Sequence, residues 1–488
     1  MSDLARLLVP VLRWNPDDGF DAARRTAEEA LELGVGGFIL FGGPAAEIHR
    51  LISEVSSAAT RPLFFGSDLE RGAGQQFPGA TPLPPAAALG SLDDATISRR
   101  AGELTAREAR AIGVNWVFAP VADVDIEPRN PIIGTRAFGT SPEIVAAHAS
   151  AWTEGCRKGG ALSCGKHFPG HGRTTADSHA EKPTVDADFE SLRVDLHPFR
   201  ELIDAGVDTL MTAHVAYPAL DPSGAVATLS RPILHDLLRR EMGFEGLVVT
   251  DALIMEGVIE GGTEGEAAVR ALSAGCDMLL YPEDLRGVLE SLRSARGTGA
   301  LERGRVSAAL ERAEAALDRV AGEAAEAGAW GREEDRRWAL ETGRRTLQVV
   351  RGEPAVPEGP VRLVEIDDDT GGPYPPYARD ALGRALADGG VRLDPEGAPL
   401  VVVYADIRAW KGRPGLSSEA RDGVGRILAD HPDATVLLFS HPRLAAELPR
   451  ARHLLAAWGG ESLMQEAVAS WLTGREDAVA TSGGGLDR

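Results

Sequence analysis

Only three cysteines, Cys156, Cys164 and Cys276, occur in 488 residues. They form no C-x-x-C pair and no even framework, which argues against a disulfide-stapled secreted scaffold and a structural zinc site, and suits a reducing cytoplasm. No apolar run reaches the roughly 18 residues of a membrane helix. The N-terminal stretch from Met1 to Pro10 lacks the long apolar core and cleavage site of a signal peptide, so neither export nor a membrane partner is expected. Positive charge is in deficit, 51 Lys and Arg against 73 Asp and Glu, for a formal charge of −22. Such a chain is repelled by nucleic acid and anionic lipid, so a neutral or locally recognised small substrate fits better. A glycine-rich phosphate loop is missing too. The first apolar run of the C-terminal part is followed by Asp367-Asp368-Asp369-Thr370-Gly371-Gly372, whose carboxylates would repel a pyrophosphate.

What is present is an ordinary globular composition, 43% hydrophobic and 25% charged, on a chain long enough for two domains. Short β-rich runs at 7–12, 36–41, 62–66, 115–120, 161–164, 209–212, 247–250 and 277–280 alternate with amphipathic helical stretches at 21–32, 45–58, 94–112, 142–158, 188–205, 231–241, 265–274 and 284–295. Strict alternation predicts a parallel α/β fold, and eight repeats predict a (β/α)8 barrel over 1–320. Residues 321–351 read as a helical connector rich in Ala, Glu and Arg. Residues 352–488 read as a smaller three-layer α/β domain with strands at 361–366, 400–404, 435–439 and 453–457, ending in a disordered Gly-rich tail, 481–488.

Barrel chemistry is performed at the C-terminal ends of strands. The polar residues there are Asp68 and Glu70, Asp123 and Asp125, Lys166 and His167, His214, and Asp251. The richest stretch is Lys166-His167-Phe168-Pro169-Gly170-His171-Gly172-Arg173-Thr174-Thr175-Ala176-Asp177-Ser178-His179, which leaves a strand as a loop. Asp251 ends a buried apolar strand, as a nucleophile does when another group protonates the leaving group, or as a cap of the next helix. His179 stands two residues from Asp177 and suits a proton donor; the same spacing also suits a solvated Asx turn. Lys166 and His167 can donate to hydroxyls of a polyol. Lys166 could instead form a Schiff base, as in a barrel aldolase. His167, His171, His214 and Asp251 could serve a metal-dependent hydrolase.

The stretch from Lys166 to His179 resembles the K-H-F-P-G-H-G-x-T-x-x-D-S-H signature of the β-N-acetylglucosaminidases of glycoside hydrolase family 3. Ala119–Val124, Asn130–Gly139, Met211-Thr212-Ala213-His214 and Thr250-Asp251-Ala252-Leu253 follow in family order. The resemblance implies a retaining glycosidase with Asp251 as nucleophile, His179 as general acid/base and Asp177 orienting the imidazole. It implies that Asp68, Arg136, Lys166 and His167 hold the sugar, with Asp123 and His214 in support. No metal or organic cofactor is implied. The substrate class it implies is terminal β-linked N-acetylglucosamine on muropeptides or related oligosaccharides; a family 3 β-glucosidase, an N-acetylglucosaminide phosphorylase and a non-catalytic sugar-binding protein are the alternatives. One departure is Gln76, which stands where the family pattern has a second arginine.

Overall fold

The computed structural model describes residues 3–178, 180–259, 261–321, 326–369, 377–407 and 411–474, so the tail at 481–488 lies outside them. The chain forms two compact units. One comprises residues 1–82, 94–127 and 140–332, the other 83–93, 128–139 and 333–488.

In the first unit, β1 (Leu8–Val9) and β2 (Val11–Arg13) are one extended segment interrupted at Pro10. Proline has no N–H for a ladder, yet its carbonyl still accepts from Ile39 at 2.9 Å, so the segment keeps its register. Then come β3 (Gly37–Phe41), β4 (Phe64–Ser67), β5 (Trp116–Val117), β6 (Leu162–Phe168), β7 (Thr209–Thr212) and β8 (Leu247–Val249), each parallel to the one before. A parallel bridge from Val249 to Met278 leads to β9 (Leu279–Leu280), which pairs with β1 and closes the ring. The expected barrel is therefore present, its runs rich in the β-branched and aromatic residues that suit a pleated, buried surface.

The barrel interior is filled by Val9, Ile39, Phe64, Trp116, Leu162, Met211, Val249 and Met278. Helix Arg303–Val320 adds Ala313, Ala316 and Val320 to the same cluster. Its Arg305, Arg312 and Arg319 recur every seven residues, which puts them on one helix face. Arg305 and Arg312 both pair with the buried Asp277, which also takes Arg239 at 2.7 Å and the Val248 amide at 2.9 Å. Arg319 reaches Asp208 at 2.6 Å, and Asp208 accepts from the Ser163 amide at 2.9 Å. Two carboxylates thus fasten the last helix of the unit to the strands.

The second unit carries a five-stranded sheet among the described residues: β10 (Gln348–Arg351), β14 (His453–Ala456), β13 (Thr435–Phe439), β12 (Ala398–Tyr404) and β11 (Val361–Asp367), in that spatial order, with β10 the antiparallel edge. Successive residues of β12 face opposite sides. Val401 and Val403 meet helix Ser418–Asp430, while Leu400 and Val402 meet helices Ala381–Asp388 and Ser462–Thr473. That is the three-layer arrangement expected. The boundaries differ from the expectation in two ways. Strand β10 falls inside the stretch read as a connector, and segments 83–93 and 128–139 belong to this unit although they are inserted between barrel strands. Among the described residues no helix is long and apolar enough to cross a membrane.

Candidate active site

All barrel strands run the same way, so their C-terminal ends share one rim. Strand β6 supplies its centre with the consecutive residues Lys166 and His167, joined by a cis peptide bond. The two side chains go to different partners. The Lys166 ammonium, 2% exposed, lies 2.7 Å from Asp68 Oδ1 and 2.7 Å from Glu70 Oε1, both just after β4. A buried amine needs such compensation. His167 Nδ1 lies 2.7 Å from Asp123 Oδ2, while the other Asp123 oxygen accepts from the His167 amide at 3.2 Å and the His171 amide at 2.6 Å. Burial alone would raise the Asp123 carboxyl, but the charge and hydrogen bond of His167, with His171 behind, bring it below its ordinary value. Asp123 therefore orients His167 and leaves Nε2 as the ring nitrogen not directed at it.

The loop after β6 is anchored at several points. The Gly170 carbonyl accepts from the Tyr217 hydroxyl at 2.6 Å. Gly172 is required, because a Cβ there would stand 1.7 Å from the Val124 carbonyl oxygen. His171, fully enclosed, lies between the Thr174 hydroxyl at Nδ1, 2.9 Å, and the Ser178 hydroxyl at Nε2, 2.9 Å. Burial and the neighbouring His167 push its pKa down to about 4, so it is neutral at physiological pH and braces the loop as a hydrogen-bonding ring. Asp177 is buried, and its carbonyl accepts from the amides of Ala180 at 3.0 Å and Glu181 at 3.1 Å. His179 lies outside the described residues.

Asp251 follows β8. One of its oxygens accepts from the Ala252 amide at 2.8 Å. The next carbonyl, that of Ala252, lies 3.1 Å from His214 Nε2, and His214 Nδ1 lies 2.7 Å from the Thr228 hydroxyl. A carbonyl only accepts, so His214 must present Nε2–H to it; the imidazole is a strut between Thr228 and the Asp251 loop. The Asp251 charge is felt by both His171 and Cys164, which places it electrostatically next to β6 and its loop. The Cys164 thiol itself is pushed up to about 12 by burial and is no nucleophile.

The rim thus brings together Asp68, Glu70, Lys166, His167, Asp123 and Asp251. Arg136 stands elsewhere in the chain's organisation, on segment 128–139 of the second unit, where its guanidinium donates to the Ile132 carbonyl at 3.0 Å. Sequence reasoning missed Thr228 and Tyr217 as supports, because each sits on a helix or loop remote from the motif. His167, His171 and His214 are committed to separate partners, and among the described residues no group of three His, Cys, Asp or Glu side chains could hold a metal ion.

Residues 4–316 match the glycosyl hydrolase family 3 N-terminal domain. A β-hexosaminidase of Nitrosomonas eutropha is 38% identical over 285 residues, covering 55% of this chain and 81% of that protein. A β-N-acetylglucosaminidase/β-glucosidase of Cellulomonas fimi is 30% identical over 500 residues, covering 92% of this chain and 88% of that protein. A solved structure of a family 3 β-N-acetylglucosaminidase from a Paenibacillus species superposes with a TM-score of 0.85 at 28% identity, over 98% of this chain and 97% of that one.

Proposed function

The chain belongs to glycosyl hydrolase family 3 and is a glycoside hydrolase, and from that premise we propose that it is a retaining, exo-acting β-N-acetylglucosaminidase of the cytoplasm. Its substrates are terminal β-linked N-acetylglucosamine residues of muropeptides or related oligosaccharides. The observation that carries this reading is an anchored carboxylate, Asp251, at the barrel rim, within electrostatic reach of the loop that holds Asp177.

In the first step an Asp251 oxygen attacks the anomeric carbon as the C1–O bond to the aglycone breaks. His179 gives its proton to the departing oxygen. In the second step neutral His179 takes a proton from water, whose oxygen attacks C1 and frees the Asp251 carboxylate. Asp177 polarises the imidazole, and Asp68, Lys166 and His167 hold the sugar. An ammonium gripped by two carboxylates has no lone pair for a carbonyl, which speaks against the aldolase reading.

Gln76 spends its side-chain oxygen on the Gly42 amide at 3.2 Å, so it is held against the backbone. That supports some tolerance for glucosides, in keeping with the double name of the Cellulomonas relative. The test is hydrolysis of aryl N-acetylglucosaminide and aryl glucoside, each with and without phosphate. Free N-acetylglucosamine formed about tenfold faster than glucose, independent of phosphate, is the expected result; sugar 1-phosphate as product would replace hydrolysis by phosphorolysis. His179→Ala should lower turnover of a disaccharide by about 10²–10⁴-fold and that of a nitrophenyl glycoside far less, because nitrophenolate departs without a proton. Equal losses on both would remove His179 from the acid role.

A further inference from the structure

Behind the loop that follows β6 runs helix Phe189–Asp204, and one ion pair ties the two together. Arg173 Nε donates to Asp195 Oδ2 at 2.6 Å, and Arg173 Nη2 donates to the Ser191 carbonyl at 2.9 Å. Asp195 is 1% exposed, and its Oδ1 has no hydrogen-bond partner among the described residues. Gly170 packs so closely here that a Cβ on it would stand 2.9 Å from Asp195 Cβ. Arg173 occupies the one position between His171 and Asp177 whose side chain points to this helix with a charge. Tyr217 and Asp123 fasten the loop at Gly170 and His171 with hydrogen bonds. Between His171 and Asp177, only Arg173 fastens it with a charge. Resting on the reading that this loop carries the proton donor, we propose that Arg173 and Asp195 are positioning residues. Their ion pair clamps the loop to the helix, and protonation of Asp195 releases the clamp.

The charges around the pair make that release reachable. Facing Asp195 are Arg173 from the loop, Asp123 from the segment after β5 and Tyr217 from the segment after β7. On the helix itself Arg193 pairs outward with Glu190, and Asp188 at the helix start senses Arg173. Burial pushes the Asp195 carboxyl up to about 6, with Asp123 adding to the rise and Arg173 opposing it. The raised value means that between an ordinary carboxyl pKa and about 6 the folded protein keeps a proton that the unfolded chain has released. Against the unfolded chain this group therefore favours folding at acid pH, an advantage lost as pH rises through about 6. Against a released loop, with Asp195 still buried on its helix and the opposing Arg173 gone, the carboxyl rises further, so protonation favours release and the clamping carboxylate is populated only above about 6. His171, at about 4, stays neutral throughout and does not confound the transition.

Amide hydrogen exchange across residues 169–178, corrected for intrinsic rates, reads the clamp without reference to activity. In the unaltered protein protection should fall about tenfold between pH 7.5 and pH 5, with a midpoint near 6. Asp195→Asn should show the low protection at both pH values, and at pH 7.5 its kcat on aryl N-acetylglucosaminide should drop about tenfold with KM within about twofold. Arg173→Leu should reproduce Asp195→Asn, while Arg173→Lys should restore protection and kcat to within about threefold. Wild-type protection and kcat in Asp195→Asn at pH 7.5, or pH-independent protection in the unaltered protein should that variant not fold, would overturn the proposal. Loss of protection with unchanged kcat would overturn the positioning role. A failure of the functional reading looks different: Asp251→Ala would keep its activity while the exchange transition remained.

Discussion

Replacing Asp251 by alanine is expected to lower kcat/KM on an aryl N-acetylglucosaminide by about 10⁴-fold, a loss of ~5.5 kcal/mol of transition-state stabilisation. The magnitude follows from what the carboxylate is asked to do. In the proposed mechanism no ester forms at the anomeric carbon without it, and water must attack directly against an oxocarbenium-like charge left without its counter-ion. The fold should not notice. Asp251 is partly exposed, its carboxylate accepts from the adjacent Ala252 amide, and the loop is held independently by His214. Circular dichroism and the urea midpoint should match the unaltered protein. A small anionic nucleophile such as azide should restore part of the rate by entering the space vacated, giving a product of opposite anomeric configuration. A variant that keeps more than about a tenth of its kcat/KM would remove Asp251 from the chemistry.

The largest effect on stability is expected at the other end of the barrel. Asp277→Ala should cost about 3–5 kcal/mol in urea unfolding, because removing one partner of a buried ionic cluster strands the others. Here three guanidinium groups, Arg239, Arg305 and Arg312, converge on that carboxylate, which also caps the Val248 amide. Burial already pushes Arg239 down to about 10 while Asp277 supports it; with Asp277 gone the mutual repulsion of three cations adds to the desolvation cost. The damage is to the seam between helix Arg303–Val320 and the strand ends, so the folded fraction should retain kcat/KM within about twofold. Asp277→Asn keeps the shape and one acceptor but not the charge, and should fall between the two. An unchanged urea midpoint in Asp277→Ala would show that the arginines are solvated and the cluster contributes nothing.

The barrel was legible because its physics is local. Each β-rich run is bounded by turn residues and followed by a helical period, and alternation of that kind admits few topologies. Even Pro10, which splits the first strand, left the pattern readable on both sides. The second unit was less legible for two reasons. Its edge strand Gln348–Arg351 is four residues long and follows an arginine-rich helix without a glycine or proline to mark the change. Its inserted segments 83–93 and 128–139 lie between barrel strands in the chain, and nothing in their composition says which unit they join.

The site divides in the same way. Lys166, His167 and Asp251 could be found because they end strands, and strand ends on a barrel share a rim. Their partners could not be ranked from spacing. That Lys166 would spend its charge on both Asp68 and Glu70, and that Asp123 would hold both His167 and the loop amide of His171, depends on side-chain reach across three strands. His171, the most conspicuous residue between two glycines, is a brace whose ring is closed off by Thr174 and Ser178. Arg173, at a position the family signature leaves open, ties the loop to helix Phe189–Asp204 by an ion pair.

The covalent intermediate is the centre of the proposed chemistry, and one measurement reaches it directly. An N-acetylglucosaminyl fluoride carrying a second ring fluorine forms the ester quickly and hydrolyses it slowly, because the electron-withdrawing substituent opposes oxocarbenium character while the fluoride leaves without help. Intact-protein mass spectrometry should show one added sugar per chain, and fragmentation should assign it to Asp251 within Thr250-Asp251-Ala252-Leu253. Turnover of that reagent with no adduct, or an adduct on any other side chain, would contradict a mechanism built on Asp251.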